Sequence, residues 1–554
     1  MSDQLLGSTG SIPRLEKARS WLSRCLSEHS DTCAASQDES ILPKRVLDLR
    51  PSEGLIPLDG HVVLVEDLGI SAPYVCLSHC WGSTDRHPLE TNTRNLYHHK
   101  LRISLEHLPK TFRDATEVAR RFEVRYLWID SLCIIQDDCE DWRTQSSRMS
   151  EVYQGAIFTI AATAAVDSSF GLYTEIQPVH EGMELSALTN QGDCQGTYIR
   201  APLHHAKDPT HRPLTSRGWV FQERMLSPRV LHFDRQELIW ECTRETMREC
   251  KYGTDVTSRW VKMRRTFQLS HLRTLEKGTV HRRWHKAVEQ YSLLLLSREH
   301  DILPAISGIA KRLQLVTGSA YLAGLWRDNL ILDLCWSTGP DKSNRTRRAT
   351  QYRAPTFSWA SILTSEVGVR FYSEDFLWLF FENDEWCHEM AKVTDAWCEV
   401  ASTDTTGQVS NGYIDLQGKL FQGRLIKASE GSETWDIAHV SSGPTPVSRH
   451  YHRLDSDYDF DVQGRDHVAV GETLYTFPLL HITAVTRNWG MAIASLSLVL
   501  RRCKGQSDLE DNLTIVKTPA PTYERVGLYR EVTSNPESAY AEGSVQHKVL
   551  VRIV

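Results

Sequence analysis

The sequence lacks most of the motifs by which enzymes are recognised. It contains no Gly-x-Gly-x-x-Gly, no Walker loop, no Gly-x-Ser-x-Gly and no His-Glu-x-x-His. The common dinucleotide, phosphate, serine-hydrolase and zinc-protease signatures are therefore missing. Long apolar runs are missing too: none approaches the ~18 residues of a membrane span, and the nearest, Ala492–Leu500, has strand length. The opening residues, Met1-Ser-Asp-Gln-Leu-Leu-Gly-Ser, lack the basic-then-apolar pattern of a signal peptide. A cytoplasmic location is the expectation. There is no basic excess either, since the net charge is −7. Neither nucleic acid nor an anionic membrane surface is expected as a partner. The thirteen cysteines are odd in number and scattered over 554 residues, so they form no disulfide framework and fit a reduced compartment. There is no internal repeat and no sizeable low-complexity tract.

What is present has a globular balance, 41% hydrophobic and 24% charged, which excludes collagen-like, coiled-coil and wholly disordered chains. The length suits two to four domains. Residues 1–70 read as an N-terminal arm with one helix near Pro13–Glu28. The most patterned segment follows. Tyr74-Val-Cys-Leu-Ser78 is a short apolar strand, and a helix after Leu108-Pro109 carries Phe112, Ala115, Val118 and Ala119 on one face, with Thr111 and Asp114 spaced as a capping box. Tyr126–Ile135 is a near-continuous apolar run suited to a strand buried on both faces. A second helix begins near Glu140, and Ile157–Ala164 is the next strand. Strand and helix alternating in this way predict an α/β layer with a mostly parallel sheet. Arg217–Leu226 reads as a short helix, and Arg229–Asp234 with Glu237–Cys242 as a hairpin. The expected organisation is an arm (1–70), an α/β domain (71–245), a helical, Trp-rich continuation (246–400) and a β-rich C-terminal domain (401–554). Within the third part, Asp255–Lys286 has nine basic residues against two acidic ones. Without an aromatic ladder this reads as a solvated helical face.

The Cys76/Cys80 and Cys242/Cys250 pairs have no matching second pair, so no residue is assigned as a metal ligand. His204-His205 and His450-Tyr-His452 read as surface residues. What remains is a polar cluster at strand ends, where open parallel sheets bind ligands: Ser78-His79-Cys80-Trp81-Gly82, and Asp130-Ser131 through Cys133, Gln136, Asp137 and Asp138. Asp130 interrupts an apolar run. It is either a buried acid capping a turn or helix terminus, or part of a ligand site.

The blocks Leu77-Ser-His-Cys-Trp-Gly82, Leu108-Pro-Lys-Thr-Phe-Arg-Asp-Ala115, Tyr126-Leu-Trp-Ile-Asp-Ser-Leu-Cys-Ile-Ile-Gln-Asp-Asp138, Met149-x-x-x-Tyr153 and Arg217-Gly-Trp-x-x-Gln-Glu-Arg-x-Leu-Ser-Pro-Arg229 resemble, in order and spacing, those of the fungal heterokaryon incompatibility (HET) domain. Asp301–Gly308, Tyr321–Trp326 and Ala354–Ala360 look like the usual continuation of such proteins, so the resemblance covers roughly residues 70–360.

The resemblance implies an intracellular protein of fungal non-self recognition and programmed cell death. It also implies a fold similar to the TIR (Toll/interleukin-1 receptor) domain, a flavodoxin-like, mostly parallel sheet. Some TIR domains hydrolyse NAD with a Glu in a Trp-Cys-x-x-Glu helix. Trp219-Val-Phe-Gln-Glu223 places a Glu at the same offset, although Val220 replaces the Cys. Glu223 and Asp130 are accordingly the candidate catalytic residues. Ser78, His79, Trp81, Gly82, Ser131, Cys133, Gln136, Trp219, Gln222 and Arg224 are the candidate ligand-binding residues. No cofactor is required, and NAD enters as a substrate. The competing role for Glu223 is a salt bridge to Arg217, Arg224 or Arg229 that fixes its helix. Two other functions stay open: a HET-type fold recruited into secondary metabolism to act on an apolar small molecule in a Trp-rich pocket, and a non-catalytic signalling scaffold. The expected partners are an incompatibility protein or a small-molecule ligand, with self-association allowed.

Overall fold

A computed structural model describes residues 7–33, 41–50, 60–181, 183–185, 197–199, 201, 212–250, 259–338, 346–364, 367–371, 387–427, 435–439, 449–458, 460, 467–486, 490–503, 520–533 and 548–554. The chain divides into two compact units, Met1–Arg273 and Thr274–Val554.

In the first unit, helix α1 (Ile12–Glu28) precedes a nine-stranded sheet. Its strands are β1 (Arg45–Asp48), β2 (His61–Glu66), β3 (Tyr74–Ser78), β4 (Ile103–Ser104), β5 (Tyr126–Ile129), β6 (Phe158–Ala161), β7 (Arg229–Phe233), β8 (Leu238–Cys242) and β9 (Thr246–Arg248). Their spatial order is β9-β8-β7-β6-β3-β5-β1-β2-β4. The apolar runs form the centre. β3, β5, β6 and β7 are buried at every position, as strands covered on both faces must be. β3 pairs in parallel with β5 (Leu77 beside Ile129) and with β6 (Leu77 beside Ile160), and β6 pairs in parallel with β7 (Ile160 beside Leu231).

The expectation of a mostly parallel sheet is corrected. The sheet is mixed, with three parallel pairings and five antiparallel ones. The antiparallel strands flank the parallel core. β7 turns back into β8 through a four-residue connection, too short for the crossover that a parallel neighbour needs. On the other side, from the segment read as an arm, β1 adds antiparallel to β5 and β2 antiparallel to β1.

Helix α2 (Lys110–Arg121) buries Phe112, Ala115, Val118 and Ala119 as its periodicity requires. Its start differs from the expected capping box, because Pro109 is the N-cap and no side chain caps it. Thr111 and Asp114 instead hold the distant loop after β6: Thr111 Oγ1 accepts the Gly171 N–H (3.0 Å) and Asp114 Oδ2 the Leu172 N–H (2.8 Å). The apolar run at Tyr126–Ile135 also breaks earlier than expected. After Ile129 the chain coils into the short helix α3 (Asp130–Cys133) and then into α4 (Cys139–Gly155), capped by Asp138 accepting from the N–H groups of Glu140 and Asp141. The last helix before the β7–β9 meander is α5 (Gly218–Leu226).

The second unit begins with helices Lys277–Tyr291 and Pro304–Thr317. Trp284, Trp326, Trp336 and Trp359 there are fully buried, as is Trp240 in the first unit. The β-rich end contains a closed antiparallel ring of Thr473–Thr486, Phe421–Lys427, Trp435–His439, Arg449–Ser456, Thr522–Thr533 and Gly490–Arg502, whose last strand pairs back with the first. It is a small barrel with further strands paired alongside. Among the described residues, no helix is long and apolar enough to cross a membrane.

Candidate functional site

Parallel strands end on a common edge, so Ser78 at the end of β3 lies beside Ala161 at the end of β6, and Asp130 follows directly on β5. Helix α5 supplies Glu223 to this edge. Ser78 Oγ donates to Glu223 Oε2 at 2.5 Å, and both residues are buried. His79 Nδ1 lies 3.6 Å from Asp130 Oδ1, and the Trp81 indole N–H donates to Asp130 Oδ2 at 2.8 Å. The Ser131 N–H donates to Asp130 Oδ1 at 2.7 Å. Asp130 is the first residue of α3, which has no side-chain cap, and its carboxylate gathers the Ser131 N–H with side chains from the loop after β3. Its side chain keeps 21% exposure. The Gln136 amide donates to the carbonyl oxygens of Asp130 (3.1 Å) and Ile134 (3.0 Å), closing the turn after α3.

This turn is anchored from outside the cluster by Arg45 of β1, which is completely buried. Its guanidinium donates to the Cys133 carbonyl (2.8 Å) and to Glu66 (2.7 Å), and pairs with Asp141 of α4.

Glu223 is the electrostatically unusual member. Burial, with the negative charge of Asp130 adding to it, raises its carboxyl to about 7, against the opposing pull of the Ser78 hydroxyl, Arg217 and Tyr153. The salt-bridge role is not what the fold builds. Arg224 pairs with Glu241 (Nε to Oε2, 2.8 Å) and stacks 4.1 Å over Trp260, while Arg229 is engaged at Cys25. Among the described residues no Lys or Arg lies within ion-pair distance of Glu223, and Arg217 acts from further away. Burial also lowers His79 to about 4, so its ring is neutral at physiological pH. His79 packs edge-on against Phe112 at 4.9 Å. His79 Nε2 and Ser131 Oγ are buried without a hydrogen-bond partner among the described residues, a state that costs about 1–3 kcal/mol each.

The other candidates divide. Trp81 is half-buried beside His87, and burial pushes the Cys133 thiol up to about 12, leaving it a core residue. Gln222 is buried, and Trp219 packs against the core of the sheet. Arg224 points away towards Glu241, so the structure does not bring it to Asp130 and Glu223. Gly82 has a backbone requirement of its own: its φ is +83°, and an added Cβ would lie 2.8 Å from Asp167 Cβ and 3.1 Å from the Arg86 carbonyl oxygen. Gly82→Ala is therefore expected to cost about 1–3 kcal/mol, read as a lower urea midpoint at unchanged slope. Tyr153 was missed as a member of the site. It stands in the Met149-x-x-x-Tyr153 block without a role assigned to it; in the structure its hydroxyl donates to the Leu77 carbonyl oxygen (3.4 Å) and helps hold the Glu223 carboxyl down.

The first unit is thus a mixed α/β domain with an acidic pair at the carboxyl edge of its parallel strands. Residues 74–223 match the family model described as Heterokaryon incompatibility protein (HET), so the chain carries a HET domain over about a quarter of its length. The match begins at the first residue of β3 and ends at Glu223, and its two ends meet through the Ser78–Glu223 hydrogen bond. No curated protein and no solved structure matched the chain.

Proposed function

We propose that the protein acts in heterokaryon incompatibility, as fungal non-self recognition leading to programmed cell death, and that its HET domain does so by TIR-like hydrolysis of NAD. The HET match supports the first part. Two features support the second. In chain order, the four parallel strands lie second-first-third-fourth across the sheet (β5-β3-β6-β7), the order of flavodoxin-like folds, which take ligands between the first and third strands at their carboxyl ends. Ser78 of the first strand and Ala161 of the third pair at that point.

The observation that carries the chemistry is the carboxyl pair Glu223 and Asp130, set apart by environment. One is buried with its pKa raised, and the other is partly exposed with an N–H on each oxygen. Pairs separated in this way divide the roles of a reaction between them. When the nicotinamide–ribose bond breaks, its electron pair goes to the pyridinium nitrogen and neutral nicotinamide leaves. A carboxylate stabilises the oxocarbenium-like ribose, and water adds to the sugar carbon with loss of a proton. Trp81 offers an aromatic face, and the unpartnered His79 Nε2 and Ser131 Oγ offer polar contacts.

The test is release of nicotinamide from NAD by the purified full chain over a range of protein concentrations, because self-association belongs to this reading. Glu223→Gln is expected to remain folded and to lose turnover by about 10²-fold or more. Unchanged turnover in a folded Glu223→Gln protein would remove Glu223 from the reaction. Absence of turnover in the wild-type chain at every concentration would favour the scaffold reading, which the inward-facing Ser78–Glu223 bond also suits.

A further inference from the structure

Away from this edge, α1 brings three residues towards β8. Cys25 lies in the last turn of the helix, His29 is its C-cap and Cys33 follows one turn later; the backbone bonds His29 N–H to Cys25 O (3.1 Å) and Cys33 N–H to His29 O (2.7 Å) stack the three on one side. Cys242, 213 residues from His29 along the chain, ends β8 opposite them. The three sulfurs and one imidazole nitrogen all lie within 4.8 Å of one another, and all four residues are buried. Four ligands held ~2.3 Å from a common centre in a tetrahedron stand ~3.8 Å apart, so the cluster is already close to that size.

Three features of the surroundings suit thiolates rather than packed thiols. The N–H groups of Arg244 and Glu245 both point at Cys242 Sγ, each at 3.4 Å. Arg229 is fully buried, and its Nε donates to Cys25 Sγ at 3.2 Å. Its other bonds go to the carbonyl oxygens of Ile157 and Cys33, and among the described residues it has no carboxylate partner. A buried guanidinium needs a negative partner nearby. Three thiolates and one neutral histidine around a divalent cation carry one net negative charge, which balances it. His29 is also oriented as a metal ligand is: Nδ1 faces Cys242 Sγ at 3.6 Å, and Nε2 faces the Glu245 carboxylate at 3.7 Å, on the side where a ligand ring takes its outer partner.

We infer that Cys25, His29, Cys33 and Cys242 form a structural Cys₃His site for one zinc ion, clamping the C-terminal end of α1 to the end of β8. All four positions are filled by protein, the closed arrangement of structural rather than catalytic zinc. Thiolate and imidazole donors select zinc over magnesium or calcium. The sequence pairing of Cys242 with Cys250 concealed the site, because Cys250 packs instead against Ile176.

The experiment uses the full chain purified without chelator. Native mass spectrometry and elemental analysis should find one zinc per chain, released by a thiol-blocking mercurial. Replacement by cobalt(II) should give the visible absorption of a tetrahedral thiolate complex. Cys242→Ser should lower the metal content to background while Cys250→Ser leaves it at one. Wild-type protein without metal, and without the cobalt spectrum on reconstitution, would overturn the inference. So would a mass two hydrogens low, which indicates a disulfide in the cluster, or a Cys242→Ser protein that keeps its zinc. The wild-type measurements decide the matter even if a variant fails to fold.

Discussion

Arg525→Met is expected to destabilise the second unit by about 3–5 kcal/mol. Arg525 is fully buried. Its guanidinium donates to both oxygens of Asp457 (2.9 and 3.1 Å) and to the carbonyl oxygens of Leu334 (2.6 Å) and Trp336, and it lies 3.6 Å over the Trp336 ring. Methionine fills much of the volume but leaves the Asp457 carboxylate buried with its main partner gone. That orphaned charge, rather than a lost contact, supplies most of the cost. Urea unfolding followed by tryptophan fluorescence measures it. Arg525→Met combined with Asp457→Leu should recover part of the loss, because the second change removes the stranded charge. A single-variant loss below about 1 kcal/mol would show that water reaches Asp457 or that the barrel relaxes around it.

A second large effect follows from the acid at the edge of the parallel strands. In the folded protein the Glu223 carboxyl titrates at about 7, above its ordinary value of 4.5. A raised carboxyl means that the folded state holds its proton more tightly than the unfolded chain does. The stabilisation is therefore full below about pH 4.5 and is lost as the pH rises through about 7. The two values differ by enough to make this loss about 3 kcal/mol. Glu223→Gln keeps the shape and cannot ionise. Its stability should lack this contribution to the fall with pH, and above pH 7 it should exceed that of the wild type. Unfolding midpoints of both proteins across this range give the comparison; parallel curves would mean that Glu223 is charged and solvated in the fold.

The parallel core was legible because its strands are nearly uninterrupted apolar runs separated by helices of clear periodicity. Its flanks were not. β2 alternates only partly between buried and half-buried positions, and β1 is four residues long, so neither carries a pattern that separates it from a loop. The polar edge was legible from the position of Ser78 and Asp130 after apolar strands, but the surroundings of Glu223 were not. Its neighbours in sequence offered three arginines, and the fold uses Arg224 and Arg229 elsewhere, leaving the acid without a close cation. Thr111 and Asp114 have the spacing of a cap whether they cap a helix or hold a loop, and tertiary structure decides between the two. The sulfur cluster was least legible of all, since Cys25-x₃-His29-x₃-Cys33 lacks the close cysteine pair of familiar zinc motifs and its fourth member comes from another element.

The antiparallel strands that flank the parallel core also determine how two copies of this domain can meet. A sheet that ended at β5 or β7 would present an unpaired edge of four or five mostly apolar residues to another copy. Here the outermost strands are Ile103–Ser104 on one side and Thr246–Arg248 on the other, of two and three residues. Strands this short offer too few backbone groups for a continuous sheet to grow from one molecule into the next. Among the described residues, the nine-stranded sheet is therefore not built to continue from one copy into the next, and contacts between copies would fall on other surfaces.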